Sequence, residues 1–218
     1  IKNNDLSEEF LTKKDDYNFV QVNSDNIKSA IKQITDLSLK KGLDEKNVQI
    51  LAPMYKGEAG IDALNLCLQE IYNPRKRNKE EVIYGEFVYR EGDKVLQLVN
   101  DLDNNVFNGD IGFIESIMGN KIIIDYDGNK VTYEKKDLKN IKHAYAISIH
   151  KSQGSEFMHV IMPISKSYYK LIYTGVSRAK KSLTLVGDVA AFQRAVANNY
   201  SSSRKTSLKE QITIVYNK

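Results

Sequence analysis

The feature that most constrains the fold is a change of hydrophobic periodicity part-way along the chain. Before the change, short apolar runs alternate with segments whose apolar residues recur every three or four positions. These segments predict strands at 19–22 and 48–52, and helices at 25–40 and 61–72. Strand, helix, strand and helix at these lengths are typical of a parallel sheet covered by helices.

From about residue 84 to residue 140, the pattern becomes one of short β runs separated by tight-turn signals such as Asn108-Gly109 and Asp127-Gly128. Strands are predicted at 95–99, 112–117, 121–126 and 130–133. Four or five short strands in about 60 residues indicate a small barrel of SH3 size. The strand and helix pattern then resumes, with strands at 144–148, 160–163 and 183–186 and helices at 168–179 and 189–198.

A β-module inserted into one α/β domain is the simplest organisation that fits this order. We expect residues 1–82 and 143–200 to form the two parts of the α/β domain, and residues 83–142 to form the insertion. Residues 201–218 read as a polar, basic tail. With 218 residues and 41% hydrophobic content, the chain is long enough to bury a core of this kind.

Composition narrows the class of protein further. The single cysteine, Cys67, excludes an internal disulfide and favours a reducing, cytoplasmic setting. There is no run of about 18 apolar residues, and the first ten residues lack the features of a secretion signal, so no membrane partner is expected. A start without methionine inside a polar stretch predicts that residues upstream of Ile1 are missing.

The net charge of +4 is unevenly distributed, because residues 166–218 carry +8 and the rest carries −4. A basic stretch fits a polyanionic partner such as nucleic acid, but a solvated basic face is at least as common. The same two interpretations apply to the loop of Arg75, Lys76 and Arg77 and to Arg204-Lys205 in the tail.

Residues 144–157 carry the densest chemical signal. An apolar strand leads into a turn that is predicted to present Ser148, His150, Lys151, Ser152 and Gln153, with Gly154 allowing close backbone approach and Glu156 beyond it. Hydroxyls, amides and a lysine suit phosphates and sugars. The alternative is an ordinary turn with polar caps.

Residues 168–181 carry the second signal. A helix through this segment would place Thr174, Ser177, Arg178 and Lys181 on one side. A guanidinium can neutralise charge on a transferring phosphoryl group. The alternative is a solvated helix end favoured by the helix dipole.

The order of these residues resembles known helicase motifs. His150-Lys-Ser-Gln-Gly-Ser-Glu-Phe157 resembles motif V of superfamily 1 helicases, and Tyr173-Thr-Gly-Val-Ser-Arg-Ala-Lys180 resembles motif VI. Residues 48–57 are similar to the motif IV region of the RecD-like group, and residues 92–112 to the start of its SH3-like 2B insertion. From about residue 19 to residue 198 the chain thus resembles RecD-like superfamily 1 (SF1B) 5′-to-3′ DNA helicases, a group that includes exodeoxyribonuclease V alpha subunits.

This resemblance implies a RecA-like domain 2A of the P-loop NTPase type, with helices on both faces of its sheet, carrying the SH3-like barrel 2B. It also implies specific residue roles. Arg178 would be the catalytic arginine finger of an ATPase. The residues implied to face the nucleotide are Gly154, Glu156, Gly175 and Lys181. The residues implied to line the single-stranded DNA path are Ser148, His150, Lys151, Ser152, Gln153, Thr174 and Asn100.

One part of the family pattern is absent from the sequence. No G-x-x-x-x-G-K-[ST] phosphate loop and no paired acidic Walker B strand end occur. The resemblance therefore implies that ATP and Mg²⁺ are used by a full-length enzyme whose missing N-terminal RecA-like domain 1A holds them, and that this fragment alone is inactive. The implied partners are single-stranded DNA and DNA with a 5′ single-stranded tail. The implied setting is DNA repair and recombination in the cytoplasm, at the nucleoid.

Other functions are kept open. A nucleic-acid-binding module without motor action would keep the same shell, and an RNA helicase of the same superfamily shares motifs V and VI. A nuclease is less favoured, because the acidic residues form no evident cluster and His143, His150 and His159 are dispersed. No metal ligand is assigned.

Overall fold

Residues 8–164 and 172–197 are described by the structure, which is a computed structural model. Twelve strands and four α-helices follow one another along these residues in an order that separates two sheets. In chain order they are β1 (Tyr17–Gln21), α1 (Ile27–Lys40), β2 (Val48–Ala52), α2 (Ile61–Tyr72), β3 (Glu81–Tyr84), β4 (Phe87–Arg90), β5 (Lys94–Gln97), β6 (Ile111–Met118), β7 (Lys121–Tyr126), β8 (Asn129–Glu134), β9 (Ile141–His143), β10 (Ala146–Ser148), β11 (Phe157–Ile164), α3 (Ile172–Val176), β12 (Ala179–Gly187) and α4 (Val189–Ala197).

The first sheet is parallel, with the strand order β1-β12-β11-β2-β10. All five residues of β2 are buried, as expected of a strand covered on both faces. On one face, Ile50 of β2 shares a core with Ile31 of α1 and Leu64 of α2. On the other face, Leu51 shares a core with Phe192 of α4. The predicted α/β class, with helices on both faces of a parallel sheet, is confirmed.

The second sheet is antiparallel, with the strand order β8-β7-β6-β5-β9, and the β3–β4 hairpin packs against it. Burial alternates along β7, so that Ile122 and Ile124 are fully buried while Lys121 is exposed. Val82 of β3 and Tyr89 of β4 complete the same core. The small β-module predicted from the turn signals is therefore present inside the α/β region.

The helix predicted at 168–179 differs from the observed structure. Within the described residues α3 ends at Val176, and the chain turns through residues 177–178 into β12, which begins at Ala179. The reason is parallel pairing with β11, which already engages Ala179 opposite Phe157. Residues 165–171, which include part of the predicted helix, and the predicted tail 201–218 lie outside the described residues. None of the described helices has the length and apolarity needed to cross a membrane.

A buried carboxylate joins the two sheets. Asp93, which directly precedes β5, is fully buried, and its carboxylate oxygens are within hydrogen-bonding distance of Asn73 Nδ2 (2.7 Å), Gln69 Nε2 (2.6 Å), Arg90 N (2.8 Å), Tyr145 Oη (2.9 Å) and His143 Nε2 (3.2 Å). Burial alone raises the pKa of the Asp93 carboxyl, but the hydrogen bond and charge of His143, with the other donors, outweigh it and lower that pKa. The partners come from α2 and the residue that follows it, from β4 and β9, and from the residue before β10. We call this set the Asp93 junction.

A buried lysine lies beside the junction. Lys94 donates hydrogen bonds from Nζ to the carbonyl oxygen of Glu45 (2.7 Å) and to Gln49 Oε1 (2.9 Å), and its side chain is buried. Burial lowers the pKa of the Lys94 ammonium to about 8.

Replacing Lys94 with methionine is expected to change how stability depends on pH. Between pH 8 and the ordinary lysine pKa of 10.5, Lys94 is mostly neutral in the folded chain but still protonated in the unfolded chain. Because the unfolded chain binds more protons in this window, the free energy of unfolding rises as pH rises through it. The free energy of unfolding of the unaltered chain, relative to Lys94→Met, should therefore rise by roughly 3 kcal/mol across it. Urea titrations at several pH values measure this difference, and a constant difference would contradict the buried ammonium.

Candidate nucleotide and nucleic-acid site

The carboxyl edge of the parallel sheet brings together the turns that follow β2 and β10. Ser148, the last residue of β10, lies opposite Ala52, the last residue of β2. The turn that follows β10 therefore starts next to the turn that follows β2. Because strands of a parallel sheet end at one edge, segments far apart in the chain meet there.

The turn after β10 is closed by its own hydroxyl groups. Lys151 N donates to Ser148 Oγ (3.2 Å), and Ser152 Oγ donates to the carbonyl oxygen of Ile149 (2.8 Å). Ser148 and Ser152 are both buried, Ser152 fully. His150 and Gln153 are exposed. A ligand can therefore reach the imidazole, the amide and part of the half-exposed Lys151 side chain, but not the two hydroxyls.

Gly154 gives this turn its backbone shape. Its φ is +86°, in the left-handed region, and a Cβ at this position would meet no atom within 4 Å. The glycine is therefore needed for its conformation and not for lack of space. The adjacent Ser155 N donates to the carbonyl oxygen of Ser152 (3.1 Å), which completes the turn.

Arg178 connects this turn to the segment after α3. Its Nε donates to the carbonyl oxygen of Thr174 (3.3 Å), and Nη1 donates to the carbonyl oxygen of Ser155 (3.3 Å). Nη2 donates to Ser177 Oγ (3.1 Å), and the Arg178 carbonyl oxygen accepts from Phe157 N (2.9 Å). Backbone carbonyls therefore hold the guanidinium in place. Arg178 is half-buried, so part of its side chain stays accessible to solvent.

The charged residues around Arg178 are solvent-accessible. Glu156 forms an ion pair with Lys180 at 3.0 Å, and both side chains are more than half exposed. Such a pair contributes little to stability, so Glu156 can exchange partners at low cost. Lys181 is exposed on β12, not on α3, so the prediction that it shares a helical face with Thr174 is wrong. The strand pairing of β12 replaces the last helical turn.

Gly175 is buried and serves packing. A Cβ at this position would lie 2.5 Å from Met162 Sδ and 3.5 Å from Ile149 Cδ1. A side chain here would require the Met162 side chain to move, so glycine lets α3 pack directly against β11. Thr174, next to it, is half-buried.

The β-module also contacts the turn after β10. Lys151 Nζ donates to Asn108 Oδ1, and Asn108 N donates to Asn100 Oδ1 (2.9 Å). Three exposed apolar residues, Val99, Leu102 and Phe107, lie on the same loop. Sequence reasoning expected Asn108 mainly to shape its turn and missed its contact with Lys151, because the two residues are 43 positions apart.

The three histidines lie in different environments. His143 belongs to the Asp93 junction, His159 Nδ1 lies 2.8 Å from Ser182 Oγ, and His150 is exposed. Across residues 8–164 and 172–197, no group of three or more His, Cys, Asp or Glu side chains is arranged to hold a metal ion.

A helix-covered parallel sheet with an inserted antiparallel module, and an arginine that joins α3 to the loop before β11 at the amino ends of β11 and β12, fit the RecA-like helicase domain with an SH3-like insertion that the sequence resembles. The family model described as the SH3 domain of ATP-dependent RecD-like DNA helicases matches residues 64–132. The model of the UvrD-like helicase C-terminal domain matches residues 143–186. The chain is thus a relative of the RecD-like helicases, as its sequence motifs indicated.

Curated relatives agree with this assignment. The chain is 35% identical over 170 residues to the ATP-dependent RecD2 DNA helicase of Deinococcus radiodurans, which covers 76% of this chain and 23% of that protein. It is 34% identical over 165 residues to the RecBCD enzyme subunit RecD of Buchnera aphidicola subsp. Acyrthosiphon pisum, covering 71% of this chain and 27% of that one. The chain therefore spans about a quarter of the length of these relatives.

A solved structure of two Pif1 helicases that unwind forked double-stranded DNA has the same fold. The superposition has a TM-score of 0.53 at 18% identity and covers 98% of this chain and 53% of that one. At this identity the likeness concerns the fold, including both the RecA-like sheet and the inserted module.

Proposed function

We propose that this chain is the C-terminal motor part of an ATP-dependent 5′-to-3′ DNA helicase that acts in DNA repair and recombination. The observation that carries the proposal is the position of Arg178, whose guanidinium joins the motif V turn to the motif VI segment through the carbonyl oxygens of Ser155 and Thr174. One side chain thereby links the residues assigned to the nucleotide with those assigned to DNA.

The residues present suit the phosphate end of ATP. Arg178 is a permanent cation with accessible donors, so it can act as the arginine finger, and exposed Glu156 lies beside it for a ribose hydroxyl. Gly154 shapes this loop, Gly175 sets the depth of α3, and Lys181 adds a nearby exposed charge. ATP would supply the phosphoryl group whose transfer to water drives the motor. Mg²⁺ and the phosphate loop would come from an N-terminal domain 1A.

The DNA path is proposed to run over the turn after β10 and the neighbouring loop of the β-module. Exposed His150 and Gln153 and half-exposed Lys151 can contact bases and phosphates, and Asn100 positions the loop that Lys151 reaches. The exposed Phe107 on that loop offers a surface on which a base can stack. Ser148, Ser152 and Thr174 would act by holding the turns, since their side chains are wholly or partly buried.

Several finer assignments belong to the same proposal. Residues 1–82 and 143–200 would be domain 2A, and residues 83–142 domain 2B. The partners would be single-stranded DNA and DNA with a 5′ tail, in the cytoplasm at the nucleoid. A motor-less nucleic-acid-binding module and an RNA helicase of the same superfamily remain the competing functions, and the same assays separate them.

The test is ATP hydrolysis by a chain extended upstream of Ile1, compared with the 218-residue chain, with single-stranded DNA, with RNA and without nucleic acid. DNA-stimulated turnover by the extended chain alone is the expected result. Stimulation by RNA but not DNA would favour an RNA helicase. Nucleic-acid binding without turnover by either chain would favour the motor-less module.

The proposed DNA path predicts the effect of two exposed residues. His150→Ala and Gln153→Ala should each weaken binding of a fluorescent single-stranded oligonucleotide by about 1 kcal/mol, the usual net contribution of one hydrogen bond. Gln33→Ala, on the exposed face of α1, removes the same group elsewhere and should leave affinity unchanged. Unchanged affinity in His150→Ala and Gln153→Ala would place the DNA elsewhere, and an equal loss in Gln33→Ala would show that the effect is not specific to this turn.

A further inference from the structure

A second basic surface lies at the opposite edge of the parallel sheet. Helix α2 starts after the carboxyl end of β2 and runs for 12 residues, or about 18 Å, away from that edge. The loop that follows it contains Arg75, Lys76, Arg77 and Lys79. This cluster, the 75–79 loop, is therefore well separated from the turn after β10.

The 75–79 loop is partly preorganised. Lys79 Nζ donates to Asn73 Oδ1 (2.5 Å) and to the carbonyl oxygen of Glu91 (3.1 Å), and Lys79 N donates to the carbonyl oxygen of Lys76 (3.2 Å). Arg75 is paired with Glu81 at 2.9 Å. Since Asn73 also donates to Asp93, the loop is attached to the Asp93 junction and so to the rigid interior.

Two cations of the loop remain open to a ligand. Lys76 and Arg77 are exposed, and no ion pair joins either of them to a carboxylate among the described residues. They line a concavity of about 470 Å³ together with Arg75, Lys79, Glu80 and Glu81. Four cations against two carboxylates give its wall an excess of positive charge, which suits the phosphates of a nucleic-acid strand.

We propose that the 75–79 loop is a second phosphate-backbone contact, which engages duplex DNA while the turn after β10 engages the single strand. The concavity is polar and carries no exposed aromatic residue among those that line it, so it offers charge without a stacking surface. Such a surface fits a paired strand, whose bases are inside the helix, better than a single strand, whose bases need a partner. The proposal rests on the chain acting on DNA, but on none of the roles given to Arg178 or His150.

The test compares duplex and single-strand binding by the 218-residue chain. Lys76→Gln combined with Arg77→Gln should weaken binding of a blunt duplex oligonucleotide about tenfold, and should lower the salt dependence of that affinity by about two phosphate contacts. Lys135→Gln combined with Lys139→Gln removes the same charge from another exposed surface and should leave both values unchanged. Circular dichroism confirms that each variant is folded.

The arms of this experiment separate the possible ligands. Loss of duplex binding with single-strand binding retained supports the proposal. Equal loss of duplex and single-strand binding would assign the loop to single-stranded phosphates. Equal loss of duplex binding in the Lys135 and Lys139 control would show that the effect comes from net charge and not from the 75–79 loop. Either result overturns the duplex contact. Undetectable duplex binding by the unaltered chain at low salt would also overturn the duplex contact. Unchanged single-strand binding by His150→Ala, by contrast, would count only against the proposed single-strand path.

Discussion

Replacing Arg178 with alanine in the extended, ATP-hydrolysing chain is expected to lower DNA-stimulated ATP turnover by about 10³-fold or more, the usual contribution of an arginine finger. The guanidinium carries a fixed positive charge that no water molecule reproduces at the phosphoryl group. Affinity for single-stranded DNA should change little, because His150 and Gln153 keep their positions in a turn closed by its own hydrogen bonds. Steady-state ATPase assays and fluorescence anisotropy measure the two quantities.

Two further variants distinguish catalysis from structure at this position. Arg178→Lys keeps the charge but replaces a planar fork, whose Nε and Nη1 reach Thr174 and Ser155 separately, with a single nitrogen, so it should recover only a small part of the turnover. Arg194→Ala, on the exposed surface of α4, is the matched control and should leave turnover unchanged. Near-normal turnover in Arg178→Ala would remove Arg178 from the reaction and favour the solvated-arginine alternative.

Replacing Asp93 with alanine is expected to lower the free energy of unfolding by about 3 to 5 kcal/mol, the cost of removing one partner from a buried charged network. Gln69, Asn73 and Tyr145 would each lose a buried acceptor, and unmade buried hydrogen bonds are costly. Asp36→Ala removes a carboxylate from an exposed pair with Lys40 and should cost only about 0.3 to 0.5 kcal/mol. Urea denaturation of both variants tests the difference, and similar small losses would show that the junction is dispensable.

The Asp93 junction also predicts the pH dependence of stability. The folded-state pKa of Asp93 lies below its unfolded value, so its contribution is complete above the unfolded pKa and is lost as pH falls through the folded one. The stability advantage of the unaltered chain over Asp93→Asn should therefore shrink as pH falls below about 4. An advantage that stays constant down to acid unfolding would show that another group sets this dependence.

The sequence predicted most of the fold because its periodicity is local. The strands at 48–52 and 121–126 and the helix at 61–72 were predicted with the bounds that β2, β7 and α2 have, since each is decided by neighbours a few residues away. The segment around Arg178 was predicted less well. There a helical pattern of local residues competes with pairing to β11, and only the three-dimensional sheet decides that β12 starts at Ala179.

The candidate site was predictable as a set of residue types but not as an arrangement. The order of residues from His150 to Phe157 identified the turn, yet nothing local indicates that Ser152 is buried, that Arg178 reaches the Ser155 carbonyl or that Lys151 meets Asn108. The two contacts join segments that are far apart in the chain, and the burial of Ser152 depends on neighbours that the local sequence does not identify. The roles of the individual residues stay predictions that the variants above address.

The Asp93 junction has a consequence for how such a protein can be rebuilt. The inserted module is not joined to its host by flexible connections alone, because Asp93 inside the module and His143 directly after it lie within hydrogen-bonding distance of each other and of Gln69 in α2. A deletion that replaced the module by a short linker would remove Asp93, the acceptor shared by Gln69 and Asn73. Exchange of the module between homologous proteins should therefore succeed only when the exchanged segment also includes the end of α2 and the residues up to Tyr145.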